Sequence, residues 1–291
     1  MLKSMTGFGR AEQTVGDKTY LVEIKALNGK QLELQVKLPA LLKPYEFEVR
    51  NIIQEQLGRG TIDCFVTLKQ NGASKPVVIN TDLIKAYYKQ IDVLATELNM
   101  DTHSVLSALL RLPEVVTPVT DMLNEADYAA FKNVLLAALK ELNEHRKEEG
   151  QILEKDLLLR IEKIKEQEEN ILQLEPARKV KIKDEIYQLL HEHVGKENID
   201  GNRLEQELIY YMEKIDIHEE QIRLRQHCEY FKEILNGPEE GKGKKLSFLL
   251  QEIGREINTT GSKAYDAGIQ QCVVKMKDEL EKAKEQVLNV L

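Results

Sequence analysis

Gln31-Leu32-Glu33-Leu34-Gln35-Val36-Lys37-Leu38 alternates strictly, with Leu32, Leu34, Val36 and Leu38 on one side and polar residues on the other. A two-residue period marks a strand with one buried face. Upstream, Tyr20-Leu21-Val22-Glu23-Ile24-Lys25 is a second strand candidate, and Leu27-Asn28-Gly29-Lys30 joins the two. Asn-Gly between strand-like runs predicts a tight hairpin. Downstream, 46–57 has helical spacing at Phe47, Ile52 or Ile53 and Leu57, with a stop near Gly58, and 61–68 is a further strand. The order β-β-α-β predicts an α+β front module.

Farther along, 70–76 reads as a loop and Val77-Val78-Ile79 as a short strand, with Asn80 or Thr81 placed to cap a helix over 82–99. Pro113 and Pro118 break the chain, and from about Glu125 it is helical almost throughout. The helical blocks are 127–173, 176–193, 202–235 and 246–291, separated at Glu175-Pro176, at Gly195 to Gly201 and at Asn236 to Lys245. Ile161, Ile164, Ile171 and Leu172, with charges between them, make the first block look like an arm of a helical hairpin. Ile217, Leu224, Cys228, Phe231 and Leu235 stripe one side of the third. The expected fold is therefore α+β. A strand-rich N-terminal domain over 1–120 precedes long amphipathic helices over 121–291, which form a helical hairpin and a C-terminal motif region. Such helices often bury their stripes against another subunit, so self-association is expected.

With 42% hydrophobic and 31% charged residues, the 291-residue chain suits a globular protein rich in solvated helices. No apolar run reaches the ~18–20 residues of a membrane span, and the start lacks the features of a signal peptide. Cys64, Cys228 and Cys272 form no CxxC pair, so each reads as a small buried hydrophobe, and the cytoplasm is the expected location. The net charge of −8 counts against a generic nucleic-acid binder. Net charge is not the local field, however: an acidic protein can line one cleft with Lys and Arg, and an enzyme that holds divalent metals needs carboxylates.

Two polar stretches are candidates for chemistry. If the third block is continuous, Asp216, Glu220, Arg223 and His227 share a helix face, at steps of four, three and four. They suit a divalent metal or proton transfer, although such spacing more often marks an ordinary ion-pair ladder. In the fourth block Glu252, Glu256, Thr259 and Lys263 continue one face, and Arg255, Asn258 and Ser262 line its neighbour. Asn258, Thr259, Thr260, Gly261 and Ser262 are poor interior helix formers, so the cluster requires a helix break, a close backbone approach or a site. Ser4 to Arg10 is no phosphate loop; glycines around Phe8 more often mark a bulge or close packing, although Arg10 is able to face RNA. Of the basic runs, 178–183 reads as a solvated face, and 242–245 adjoins the polar cluster.

Together these stretches resemble the YicC family. The resemblance rests on Ser4-Met5-Thr6-Gly7-Phe8-Gly9-Arg10, Glu23-Ile24-Lys25, Asn28, Leu38-Pro39 and Arg59-Gly60, then on Arg146, Glu149 and Gly150. It continues through Glu219-Glu220, Arg223-Leu224 and His227. The ending is its most specific part: Lys245-Leu246, Phe248-Leu249, Gln251-Glu252, Arg255-Glu256, Asn258-Thr259 and Gly261-Ser262-Lys263. Gly29-Lys30 departs from a common His-Arg, and Gly254 and Tyr265 from a common Asn. The resemblance implies endoribonuclease activity, a divalent cation (Mn²⁺ or Mg²⁺) and a hexamer closing around RNA like a clamp. On that reading Glu219, Glu220, His227, Glu252 and Glu256 are the candidate catalytic residues, with Glu220, Glu252 and Glu256 as metal ligands. Arg10, Arg223, Lys244, Lys245, Arg255, Asn258, Ser262 and Lys263 contact RNA. A non-catalytic RNA-binding clamp or adaptor is the alternative.

Overall fold

The computed structural model describes residues 2–29, 31–70, 77–98, 105–118, 123, 125–194, 200–239 and 241–291. Strands β1 (Gly7–Val15) and β2 (Lys18–Leu27) form the real hairpin, turning at Gly16-Asp17, where Gly16 has φ +62°. Strand β3 (Leu32–Lys37) is where its alternation puts it, but it does not pair with β2. Strand β4 (Gly60–Gln70) lies between them, antiparallel to β2 and parallel to β3, so the order is β1-β2-β4-β3. The hairpin expected at Asn28-Gly29 is thus corrected. A 3-10 turn (Ala40–Tyr45) and helix α1 (Glu46–Leu57) make the crossover that parallel neighbours need. Tyr20, Val22, Ile24, Ile62 and Cys64 pack with Val49, Ile53 and Leu57 of α1 in one core.

Helix α4 (Glu125–Val194) covers the sheet with Phe131, Leu135, Ala138 and Leu142 and then runs on into the second core. Its 70 residues span about 105 Å. The break expected at Glu175-Pro176 does not occur. Pro176 lacks a donor and crowds the preceding turn, yet Arg178, two residues later, is bonded to Glu175 and to carbonyls of two other segments. Those tertiary bonds hold the helix through the proline.

Among the described residues α5 (Gly201–Lys214), α6 (His218–Asn236), α7 (Gly243–Ala264) and α8 (Ala267–Val287) follow. Leu157, Ile161 and Ile164 of α4 pack with Leu224, Cys228 and Phe231 of α6, Ile253 and Ile257 of α7, and Met276 and Leu280 of α8. The expected block 202–235 is two helices, parted at Ile215–Ile217, so Asp216 stands in a turn and not on the helix face assigned to it. The arm expected over the first block packs against the C-terminal helices through Ile161, Ile164 and Ile171, and farther along the distal end of α4 and α5 line a cleft with Lys183, Tyr187, Leu208 and Met212.

Between β4 and α4 stands a small unit of β5 (Val77–Ile79), α2 (Thr81–Leu98), α3 (Val105–Leu109) and β6 (Val116–Pro118), with β5 antiparallel to β6. Asn80 caps α2 by accepting from the Leu83 N–H at 3.1 Å. The expected loop at 71–76 lies outside the described residues. No helix among the described residues is long and apolar enough to cross a membrane.

The two ends of the chain meet. Ser4 bridges Val290, Met5 N donates to Asn289 O at 2.8 Å, and Leu291 N donates to Lys3 O at 2.9 Å. The glycines of the opening stretch are packing residues: a Cβ on Gly9 would stand 2.1 Å from Ala138 O, and one on Gly150 2.1 Å from Leu2 O. The buried Arg146 guanidinium donates to Met5 O and Leu57 O, and Glu149 accepts from Thr6 Oγ1 at 2.8 Å. The opening stretch and the Arg146-to-Gly150 stretch are therefore two halves of one joint.

Candidate functional site

Helix α7 runs unbroken through its polar cluster. Thr259 and Thr260 return their hydroxyls to the carbonyls of Arg255 and Glu256, and Ser262 to that of Thr259. The side chains thus take helical acceptors and compete less for turn conformations. Close approach explains the glycines, since a Cβ on Gly254 or Gly261 would lie 3.0 Å from Leu280 or Val273 of α8. The helix ends at Tyr265, whose φ of +43° is left-handed.

At about 100° per residue, α7 divides into an inward and an outward face. Lys244, Phe248, Gln251, Glu252, Arg255, Asn258, Thr259 and Ser262 lie within about 120° of one another, and all are exposed or half-buried. The inward side holds Ile253 and Ile257, with Glu256 buried at its margin. Arg255 is 75% exposed and stands 4.0 Å from Glu252; Lys245 pairs with Glu239, which holds the lysine above and the glutamate below their ordinary pKa values. Lys244 has no ion-pair partner among the described residues.

The far end of α7 is tied into a polar joint. Lys263 Nζ donates to Glu220 Oε1 at 2.8 Å and to Asp216 O at 3.1 Å. The two candidate stretches therefore meet within one chain. Glu220 is 5% exposed, and its Oε2 has no hydrogen-bond partner among the described residues. Glu256 lies seven residues from Lys263, about 10 Å along α7, and is buried. Asp216 pairs with Lys179 at 2.8 Å, an interaction that raises the lysine pKa. Burial opposes ionisation of Asp216, but Lys179 outweighs it and the carboxyl titrates below its usual range.

Arg178, which the sequence suggested was on a solvated face, is the centre of this joint. It grips Glu175 through Nε (2.8 Å) and Nη2 (2.9 Å), and donates to Ala264 O at 2.7 Å and Ile215 O at 2.9 Å. A cation on the last carbonyls of α7 also suits the negative end of the helix dipole. Pro176 followed by Glu175–Arg178 pairing at three apart was the available signal, but its partners are remote in sequence.

The other predicted residues stand apart. Glu219 and Arg223 pair with each other on the exposed side of α6, and His227 is half-buried. Arg10 is on β1, with Glu12 at 3.6 Å and Glu23 at 4.0 Å. No three His, Cys, Asp or Glu side chains converge on a metal position among the described residues.

Comparison with known proteins accords with this arrangement. Residues 2–155 match the N-terminal region of the YicC-like endoribonuclease family, and residues 171–291 match its C-terminal region. The chain is 32% identical to a probable endoribonuclease YicC of Clostridioides difficile and 29% identical to one of Haemophilus influenzae, each over the full length of both proteins. The first match begins in the terminal joint and the second takes in the whole of α7, so the chain belongs to the YicC-like endoribonuclease family.

Proposed function

We propose that this protein is an endoribonuclease that lays RNA along the outward face of α7, between Lys244 and Ser262. The observation that carries the reading is that face itself. It presents two cations, Lys244 and Arg255, with the amides of Gln251 and Asn258 and two hydroxyls on one exposed stripe, the side-chain types that position phosphates. The Lys263–Glu220 joint orients that stripe without being on it.

Metal dependence belongs to the same proposal. Glu252 and Glu256 are one helical turn apart and are the carboxylates that would hold the ion, whereas Glu220, paired with Lys263 two turns farther along α7, is not brought to them. Such a set suits an ion that takes its other ligands from phosphate and water, as Mg²⁺ does. Bound there, Mg²⁺ or Mn²⁺ would supply charge to the phosphate and acidity to a water. The chain's own groups do the remainder: Arg255 and Lys244 hold phosphates, and His227 or Glu219 is the candidate to move a proton. Assembly into a closed clamp accords with the exposed apolar side chains Val93, Leu94, Leu98 and Leu106 of the small unit, 57–62% exposed. Action in the cytoplasm accords with three free cysteines.

A second reading, an RNA-binding adaptor without chemistry, is favoured by the engagement of Glu219 with Arg223 and of Glu220 with Lys263. End-group analysis of RNA exposed to the purified protein separates them. Internal cuts with 5′-phosphate ends support hydrolysis, and 2′,3′-cyclic phosphate ends support attack by the ribose. RNA retained intact supports the adaptor.

A further inference from the structure

Beside the terminal joint, the first turns of α7 open onto a cavity of about 630 Å³. Asn28, Arg59, Lys244, Ser247, Phe248 and Gln251 line it. Its volume is that of a small-ligand site. Phe248 is 61% exposed here. Arg59 spends one N–H on Val290 O at 3.1 Å, and Asn28 Nδ2 is committed to Leu288 O at 2.7 Å, leaving its carbonyl oxygen as an acceptor. Neither Arg59 nor Lys244 has a carboxylate partner among the described residues. The lining thus combines one open aromatic ring, two uncompensated cations and amides able to donate and accept.

From this combination we propose that the cavity is a nucleotide pocket for unpaired RNA. One base stacks on Phe248, its flanking phosphates sit against Arg59 and Lys244, and Gln251 and Asn28 meet the base edge. The inference rests on the endoribonuclease reading and extends it, because Lys244 and Phe248 begin the same outward stripe that carries Arg255 and Ser262. A base inside a duplex has both faces covered by its neighbours, so the pocket selects single strands or loops.

The test uses the full chain, a short unpaired RNA carrying one 2-aminopurine, and a blunt duplex RNA of equal length, with binding read in EDTA and cutting read in parallel samples with Mn²⁺. Stacking on Phe248 quenches the 2-aminopurine. Phe248→Ala removes the quench and weakens single-strand binding by roughly five- to a hundredfold, leaves duplex binding unchanged, and Phe248→Tyr restores both. Wild type that binds and cuts RNA with no quench, or with binding indifferent to Phe248→Ala, overturns the pocket and leaves the endoribonuclease reading standing. Wild type that neither binds nor cuts RNA overturns both.

Discussion

Replacing Arg178 by Met keeps the stem of the side chain and deletes its charge. The guanidinium is 1% exposed and joins Glu175, the Ile215 turn and the end of α7. Its removal leaves Glu175, 12% exposed, with Lys179 at 3.5 Å as its one cationic partner among the described residues, and strips a charged donor from three carbonyls. Breaking a buried pair from one side costs about 3–5 kcal/mol, and hydrogen bonds to a charged group are worth about 1.5–3 kcal/mol each. These overlap, so the expected loss is about 3–5 kcal/mol, a large share of the ~5–15 kcal/mol typical of a folded protein. Pro176 is then unsupported, and amide exchange should rise first over 256–264 and around Pro176. Urea unfolding followed by circular dichroism gives the first number, and hydrogen exchange the second. Arg178→Lys, with a single ammonium for acceptors on three sides, should recover less than half the loss. A loss below about 1 kcal/mol in Arg178→Met would refute the claim that this residue holds the joint.

Other expectations follow from single contacts. Tyr265 has φ +43°, a conformation that Asn or Gly enters more easily, so Tyr265→Asn should raise stability by about 1 kcal/mol in the same urea titration. Burial by itself raises the Glu279 carboxyl, but hydrogen bonds from Arg160 and Lys282 and the charge of Lys163 outweigh it and lower its pKa. A lowered carboxyl contributes stability above its unfolded value and loses it as pH falls through the folded one. Glu279→Gln should therefore be less stable than wild type at neutral pH, with the gap closing as pH falls below the ordinary glutamate value of about 4.5. Burial pushes the thiols of Cys64 and Cys228 up to about 12, so iodoacetamide at about pH 8 should label them only after unfolding.

Much of the local structure was legible. Strict alternation placed β3, Gly58 ended α1, Asn80 capped α2, and the stripe from Ile217 to Leu235 is buried throughout. Periodicity names the buried face of a strand and not its neighbour, which is why β4 between β2 and β3 was missed. Pro176 and the Ile215–Ile217 turn misled for a shared reason. Local propensity argues for a break at the proline and against one at the isoleucines, and Arg178 decides both through bonds to residues 37 and 86 positions away. In the site, helical spacing correctly grouped Arg255, Asn258 and Ser262. It could not tell that Lys263 turns inward to Glu220, because that depends on where α6 lies.

The most direct test of the account is RNA cleavage by wild type, Arg255→Ala and Glu252→Gln, purified alike and checked for intact assembly. A structured RNA is incubated with Mn²⁺, Mg²⁺ or EDTA. The account predicts internal cuts by wild type with either metal and none in EDTA, and cutting at least about tenfold slower in both variants. Equal cutting by all three proteins, or none by wild type, would contradict it.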